Sequence, residues 1–323
     1  MFIYMSGTPR NDKYQNLENS LCTHRLFSLH GSYEKAVHNW LNLTKKEAEL
    51  GNDAFPKFIM LDSGAFTAWN AGEETRLEDV FRSYDKFEKN AGDLFNEIWM
   101  VNLDKIPGER GRDPTPDEIK EAVEISDINY AKLVERFGER ILPVFHQGEP
   151  DDRMYELAEI AQYICISPRN DVHEGLRKIW SQERHFLLHK KFPGHKTHGL
   201  ATTGNLMLSD VPWYSVDSAA WIIHAAYGKL DVFEEKRYTN YFVTYEGGKQ
   251  KRESSHVDNL LPLRRQKVIE AIESYGFSLE EVQSDVRPRS LVCMGELAKF
   301  VEYARESQKT RKICTQQTLF GEI

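Results

Sequence analysis

The sequence predicts an α/β chain: a (β/α)8 TIM barrel with a C-terminal hairpin-plus-helix extension. Three observations carry this. Eight apolar runs rich in Val, Ile and Phe recur between residues 2 and 218, nearly all closing on Gly, Pro, Asp or Ser. Amphipathic helical patterns lie between them, and strand–helix alternation with buried strands implies a parallel sheet. The length, 323 residues, is long for an ordinary domain and normal for one barrel. A doubly wound open sheet is the alternative, but no G-x-G-x-x-G opens a helix here.

The strands are expected at 2–7 (FIYMSG), 25–31 (RLFSLHG), 58–64 (FIMLDSG), 98–104 (IWMVNLD), 141–148 (ILPVFHQG), 163–168 (YICISP), 197–202 (THGLAT) and 213–218 (WYSVDS). Residues 32–50 and 115–138 place apolar side chains at i, i+3, i+4 and i+7, as a helix with one buried face does. The second opens on Thr115-Pro116 and an acidic first turn, a helix start. Residues 152–162 and 172–183 read as shorter helices. Past Trp221 the pattern changes. The stretch RYTNYFVTYEGGKQKRESSH reads as a hairpin around Gly247-Gly248, followed by helices near 258–275 and 290–307. The expected organisation is a catalytic barrel over 1–228, a hairpin and helices over 229–310 that complete the barrel and contact nucleic acid, and a flexible tail over 311–323.

Composition narrows the class. A hydrophobic content of 40% is enough for a sizeable core, and 28% charged residues is ordinary for a soluble protein. No apolar run approaches a membrane span. The opening MFIYMSGTPR has no basic n-region and no long apolar segment, so it reads as a first strand rather than a signal peptide. Cys22, Cys165, Cys293 and Cys314 are scattered, with no C-x-x-C pair, and are expected as reduced thiols in a cytoplasmic protein. Cys22 and His24 are close enough to share a metal, but no second pair stands at zinc spacing, and ordinary packing is the expectation. The net charge of −8 weighs against nucleic acid, yet it is unevenly spread. Residues 229–323 carry 16 Lys and Arg against 15 Asp and Glu, with basic clusters KQKRESSH, LRRQK and SQKTRK; the rest carries 26 against 35. Such clusters are usually solvated faces, but they also suit phosphate contacts.

In a barrel, chemistry sits at the carboxyl ends of the strands. Here those ends hold Asp62-Ser63-Gly64, Asp104, His146-Gln147-Gly148, Ser167, His198-Gly199 and Asp217-Ser218. Any one of these Asp residues is more simply a helix N-cap. Three carboxylates, an amide and small residues on one mouth are harder to explain that way. Gly64 and Ala65 would let a flat group approach the backbone.

These residues resemble the tRNA-guanine transglycosylases, zinc-containing (β/α)8 barrels that exchange guanine for a 7-deazaguanine. DSGAF (62–66) is similar to their D-S-G-G-F, VNLD (101–104) to their strand ending in a base-reading Asp, VFHQG (144–148) to their V-Q-G, and YSVDS (214–218) stands where they carry a nucleophilic Asp. The resemblance spans roughly residues 1–222 by motif order. Two departures matter. The family's cysteine cluster for zinc is missing after the barrel, and Ala65 and Thr67 replace a Gly and a Gln. In these features, and in HGLATTGN and SVDSAAW, the chain looks like the DNA-modifying relatives of phages and bacterial modification islands.

The resemblance implies a DNA-guanine transglycosylase with Asp217 as nucleophile and Asp62 as general acid and base. Asp104 would accept from N1–H and the exocyclic amine of guanine. Gln147 and Gly148 would bind O6 or the 7-substituent, and Ser63, Phe66, Ser167, His198 and Gly199 would complete the base pocket. For Phe66, core packing is an equal alternative. No cofactor and no metal are expected. The partners implied are DNA and a free base of the preQ0 or preQ1 type. The tail Gln316, Leu319 and Phe320, spaced Q-x-x-L-F, resembles peptides that bind a replication sliding clamp, against the simpler alternative of an incidental apolar end. A tRNA enzyme, a non-catalytic nucleic-acid-binding partner subunit and an unrelated barrel hydrolase are the competing readings.

Overall fold

The computed structural model describes the chain apart from residues 11, 32, 110, 203, 245–253 and 319–323, and apart from the side chains of 310–318. Two compact units divide it: Phe2–Asp217, and Ser218–Ile323 with Met1.

The first unit is built on parallel segments Phe2–Ser6 (β1), His24–Ser28 (β2), Phe58–Asp62 (β3), Glu97–Val101 (β4), Ile141–Leu142 (β5), Val144–His146 (β6), Tyr163–Ser167 (β7), Lys196–Gly199 (β8) and Ser215–Ser218 (β9). Their order in the sheet is β5-β4-β3-β2-β1-β9-β8-β7-β6. The two ends of that order are halves of one strand in the sequence. Pro143 separates them; lacking an N–H, it cannot donate to a ladder. Its carbonyl still accepts the Cys165 N–H at 2.8 Å. β5 pairs with β4 through Met100↔Ile141 and Val101↔Leu142, and β6 pairs with β7 through Val144↔Cys165 and His146↔Ser167. The sheet thereby closes on itself as a (β/α)8 barrel, in which the fifth of the eight expected strands is broken in two.

The period of two along each strand decides what faces inward. In β3, Phe58 and Met60 join Tyr4, Leu26, Leu142 and Tyr163 in the barrel interior. Ile59 and Leu61 pack outward with Phe27, Trp40, Tyr84 and Phe87, under the helices. Asp62, next in step after Met60, continues the inward row. At the amino end the interior is closed by aromatic rings. His24 stacks on Phe2 at 4.9 Å and on Phe58 at 4.5 Å, and burial lowers its pKa to about 4. Cys22 is buried against the Glu18 carbonyl. This pair is therefore packing.

The outer helices include Tyr33–Glu49, Leu77–Ala91, Pro116–Phe137, Asp151–Ile160 and Glu174–Lys191. Pro116–Phe137 starts with a reciprocal capping box between Thr115 and Glu118, as its sequence promised. Leu77–Ala91 was not among the expected helices, although its buried Val80, Tyr84, Phe87 and Ala91 repeat at three and four residues.

In the second unit, Lys229–Glu234 (β10) pairs antiparallel with Arg237–Phe242 (β11). The turn is Glu235-Lys236, with φ of 49° and 67°. Both residues are left-handed, as a two-residue hairpin of type I′ requires. The hairpin therefore precedes the one expected around Gly247-Gly248, which lie outside the described residues. Helices Ala220–Ala226, Pro262–Glu273, Leu279–Ser284 and Val286–Thr318 complete the unit. Ala220–Ala226 packs against Val286–Thr318 and β10, which is why the division falls at Asp217 and not at 228. The last helix continues to Thr318, into the stretch expected as a tail; of the clamp-like residues, the side chain of Gln316 and all of Leu319 and Phe320 lie outside what is described. No described helix is long and apolar enough to cross a membrane.

Candidate active site

Three carboxylates gather where the strands end. Asp62 closes β3, and its Oδ2 accepts the Gly64 N–H at 3.2 Å. Gly64 has φ +82°, and a Cβ there would lie 2.5 Å from His30 Cβ. The close approach that the small residue permits is thus made by the His30 side chain. Ser63 is buried, with its Oγ 3.4 Å from the Ala65 N–H. Burial, then the charges of Asp104 and Asp217, push the Asp62 carboxyl up to about 7, while the Gly64 N–H and the Ser28 hydroxyl pull it down. A carboxyl at that value gives and takes protons readily near neutrality.

Asp104 lies just past β4, with Oδ2 2.6 Å from His146 Nε2. Burial opposes a charged His146, but the hydrogen bond and charge of Asp104, and the charge of Glu149, outweigh it and raise the imidazole pKa. The segment carrying Asp104 hangs on the helix Pro116–Phe137. Asn129 Nδ2 donates to the Leu103 carbonyl at 2.8 Å, Asn102 Nδ2 to the Ser126 carbonyl at 3.0 Å, and the Lys105 N–H to Ser126 Oγ at 2.9 Å. Tyr84, buried beneath, sets its hydroxyl 3.2 Å from the Leu61 carbonyl and 2.8 Å from that of Val101. It bridges the strand of Asp62 to the strand that leads to Asp104.

Asp217 sits in β9, 8% exposed. Its Oδ1 accepts the Ala201 N–H at 2.8 Å and lies 3.4 Å from His198 Nε2. Ala201 has φ 49°, a left-handed conformation uncommon for a residue with a side chain. Backbone strain is thus held at the very residue whose N–H meets the carboxylate. Below, the fully buried Cys165 thiol is pushed up by burial and then by Asp104, Asp217 and Asp62, so one point in the barrel feels all three charges.

The remaining expected residues divide. Gln147 is half-buried and its Oε1 accepts the Arg169 N–H at 3.0 Å, which leaves its amide nitrogen to donate. Gly148 is exposed, at φ +117°. Phe66 is 45% exposed and stacks on Trp69 at 6.0 Å, so it is a surface aromatic rather than core. Ser167 is half-buried; its carbonyl accepts the Gln147 N–H, and the Ile166 carbonyl accepts that of Leu200. His198 and Gly199 are enclosed instead of open to a base. The His198 side chain is fully buried, and a Cβ on Gly199 would meet Thr202 Oγ1 and the Trp213 ring. Sequence reasoning missed Tyr84, Ser126, Asn129 and Ser215, whose roles depend on contacts between distant segments. His146 was visible beside Gln147, but not as the partner of Asp104. A cavity of about 280 Å³ reaches Asp62 and Ser63, walled by His30, Glu34, Thr75, Arg76 and Ser83.

Among the described residues no group of three His, Cys, Asp or Glu is placed to hold a metal ion. Fold and site together define a (β/α)8 barrel with three interacting carboxylates at its carboxyl mouth. Compared with known proteins, the chain matches no family model and no curated protein sequence.

Proposed function

We propose that this chain exchanges guanine in DNA for a 7-deazaguanine base by double displacement. The observation that carries the reading is the gathering of Asp62, Asp104 and Asp217 at one barrel mouth, where burial and the other two charges push the Asp62 carboxyl up to about 7. Asp217 attacks C1′ of the nucleoside; the C1′–oxygen bond forms as the bond to guanine breaks. A nearby anion suits the oxocarbenium-like transition state. Protonated Asp62 delivers its proton to the departing guanine, which leaves neutral. The incoming base returns a proton to Asp62 and attacks C1′, releasing Asp217. Two inversions restore the β configuration.

Asp104 reads the base. Its carboxylate accepts from N1–H and the exocyclic amine, donors that guanine and 7-deazaguanines share and adenine lacks. His146 holds one oxygen of that carboxylate in place. Gln147 and the Gly148 N–H serve O6 or the 7-substituent. The target nucleotide leaves the helical stack, or comes from a single strand, to reach the mouth. DNA is favoured over tRNA by Ala65, Thr67 and the missing cysteine cluster.

The test is incubation with DNA or with tRNA and labelled 7-deazaguanine bases. Label retained in DNA supports the reading, and label only in tRNA moves the substrate. Abasic sites without incorporation make the protein a hydrolase. Mass spectrometry of the denatured mixture is expected to find a glycosyl adduct in the wild type and none in Asp217→Ala.

A further inference from the structure

The interior below Asp217 holds a hydrogen-bonded row. Tyr163 and Ser215 are joined through their hydroxyls. Ser215 Oγ lies 2.6 Å from His198 Nδ1, and His198 Nε2 lies 3.4 Å from Asp217 Oδ1. Tyr163, His198 and Ser215 are all essentially excluded from solvent. Ser215 and Asp217 stand two apart in β9, so the strand period puts both on the face that His198 meets.

One direction of donation passes every proton of the row toward Asp217. Tyr163 is a buried phenol whose pKa is pushed up by burial, so it carries its proton. If it donates to Ser215, Ser215 donates to Nδ1, and the ring proton sits on Nε2, facing the carboxylate. The reverse direction would leave the Tyr163 proton without an acceptor and turn a nitrogen lone pair toward Asp217. The separation of 3.4 Å exceeds a normal hydrogen bond, and Nε2 makes no hydrogen bond of its own among the described residues. A buried polar atom left in that state calls for a reason. Catalytic contacts that are long in the free protein and shorten around substrate supply one.

We infer that His198 is the positioning residue of Asp217, held in its Nε2–H tautomer by Ser215 and Tyr163; this rests on the reading of Asp217 as nucleophile. His198 moves no proton. Together with the Ala201 N–H it gathers donors on Oδ1, which leaves Oδ2 to attack C1′. In the glycosyl ester Oδ1 is the carbonyl oxygen. Donors aimed at it stabilise the carboxylate as it departs in the second displacement.

The first measurement is nitrogen NMR of the full chain labelled at histidine, with the His198 signals assigned by their loss in His198→Gln. The expected result is the Nε2–H tautomer, lost or mixed in Ser215→Ala. The second is the rate of glycosyl-adduct formation. His198→Ala is expected to slow it by roughly 100-fold with the KM for free base unchanged. His198→Gln sets an amide nitrogen near the place of Nε2 and is expected to recover most of the rate. An Nδ1–H tautomer overturns the inference whatever the adduct does. So does a His198→Ala protein that forms adduct at the wild-type rate, or a His198→Gln protein no better than His198→Ala. A wild type that forms no adduct, yet shows the Nε2–H tautomer, removes the nucleophile reading and leaves the hydrogen-bonded row standing.

Discussion

Replacing Asp62 by Asn is expected to make the protein more stable and the reaction far slower. An Asp in the unfolded chain titrates near 3.9, whereas Asp62 in the barrel is pushed up to about 7 by burial and by the charges of Asp104 and Asp217. A carboxyl with a raised folded pKa contributes its full stability below the unfolded value and loses it as pH rises to the folded value. Over about 3 units, at 1.36 kcal/mol each, the loss reaches ~4 kcal/mol at and above pH 7. Asn retains the shape and an acceptor for the Gly64 N–H but has nothing to ionise. Urea unfolding of both proteins from pH 4 to 8.5 is therefore expected to give curves that agree near pH 4 and part steadily toward neutrality. Base exchange by the variant is expected to fall by roughly 10²–10⁴, the usual worth of a positioned general acid and base. Unfolding curves that stay parallel across that range would refute the raised carboxyl. Near-normal turnover would reduce Asp62 to a structural cap.

Three further outcomes are expected. Asp104→Asn sets an amide against the donors of guanine and should weaken base binding by roughly 1–3 kcal/mol, read by calorimetry with the free base. His24, whose pKa burial lowers to about 4, binds in the unfolded chain a proton that the fold refuses; stability should fall by ~3 kcal/mol between pH 6.5 and 4, a slope that His24→Leu removes in the same urea titrations. Gly64→Ala places a Cβ at φ +82° against His30 and should cost roughly 1–3 kcal/mol of stability, measured by thermal unfolding, and slow base exchange by displacing Asp62.

The eight strands were legible because each is a short apolar run with a polar stop, and the inward direction of Asp62 follows from its step along β3. The break at Pro143 was legible in retrospect: a residue without an N–H in the middle of ILPVFHQG has to interrupt a ladder. Leu77–Ala91 carried a helical repeat that the charged residues around it obscured. The hairpin at Glu235-Lys236 was hidden because neither residue is one of the Gly, Asn or Asp types that favour left-handed turns, while the Gly-Gly pair farther on drew the reading instead. At the site, single residues at strand ends could be read one by one. The pairings His146 with Asp104 and His198 with Ser215 and Asp217 could not, since they join segments that only the closed barrel brings together. The same closure buries His198, which was expected at the base pocket.

Asp62 and Asp217 lie within β3 and β9, where neighbouring strands fix the backbone on which they stand. Asp104 lies beyond the end of β4, on backbone held by Ser126 and Asn129 of a surrounding helix. Under the proposed reading, the groups that make and break the glycosidic bond stand on strands, while the group that recognises the base hangs on a helix, with Tyr84 tying the two supports together. Substitutions of Ser126 or Asn129 would act first on the segment that carries the recognising carboxylate. Under that reading, the choice of base would depend on the helix Pro116–Phe137, outside the strands that carry the reaction.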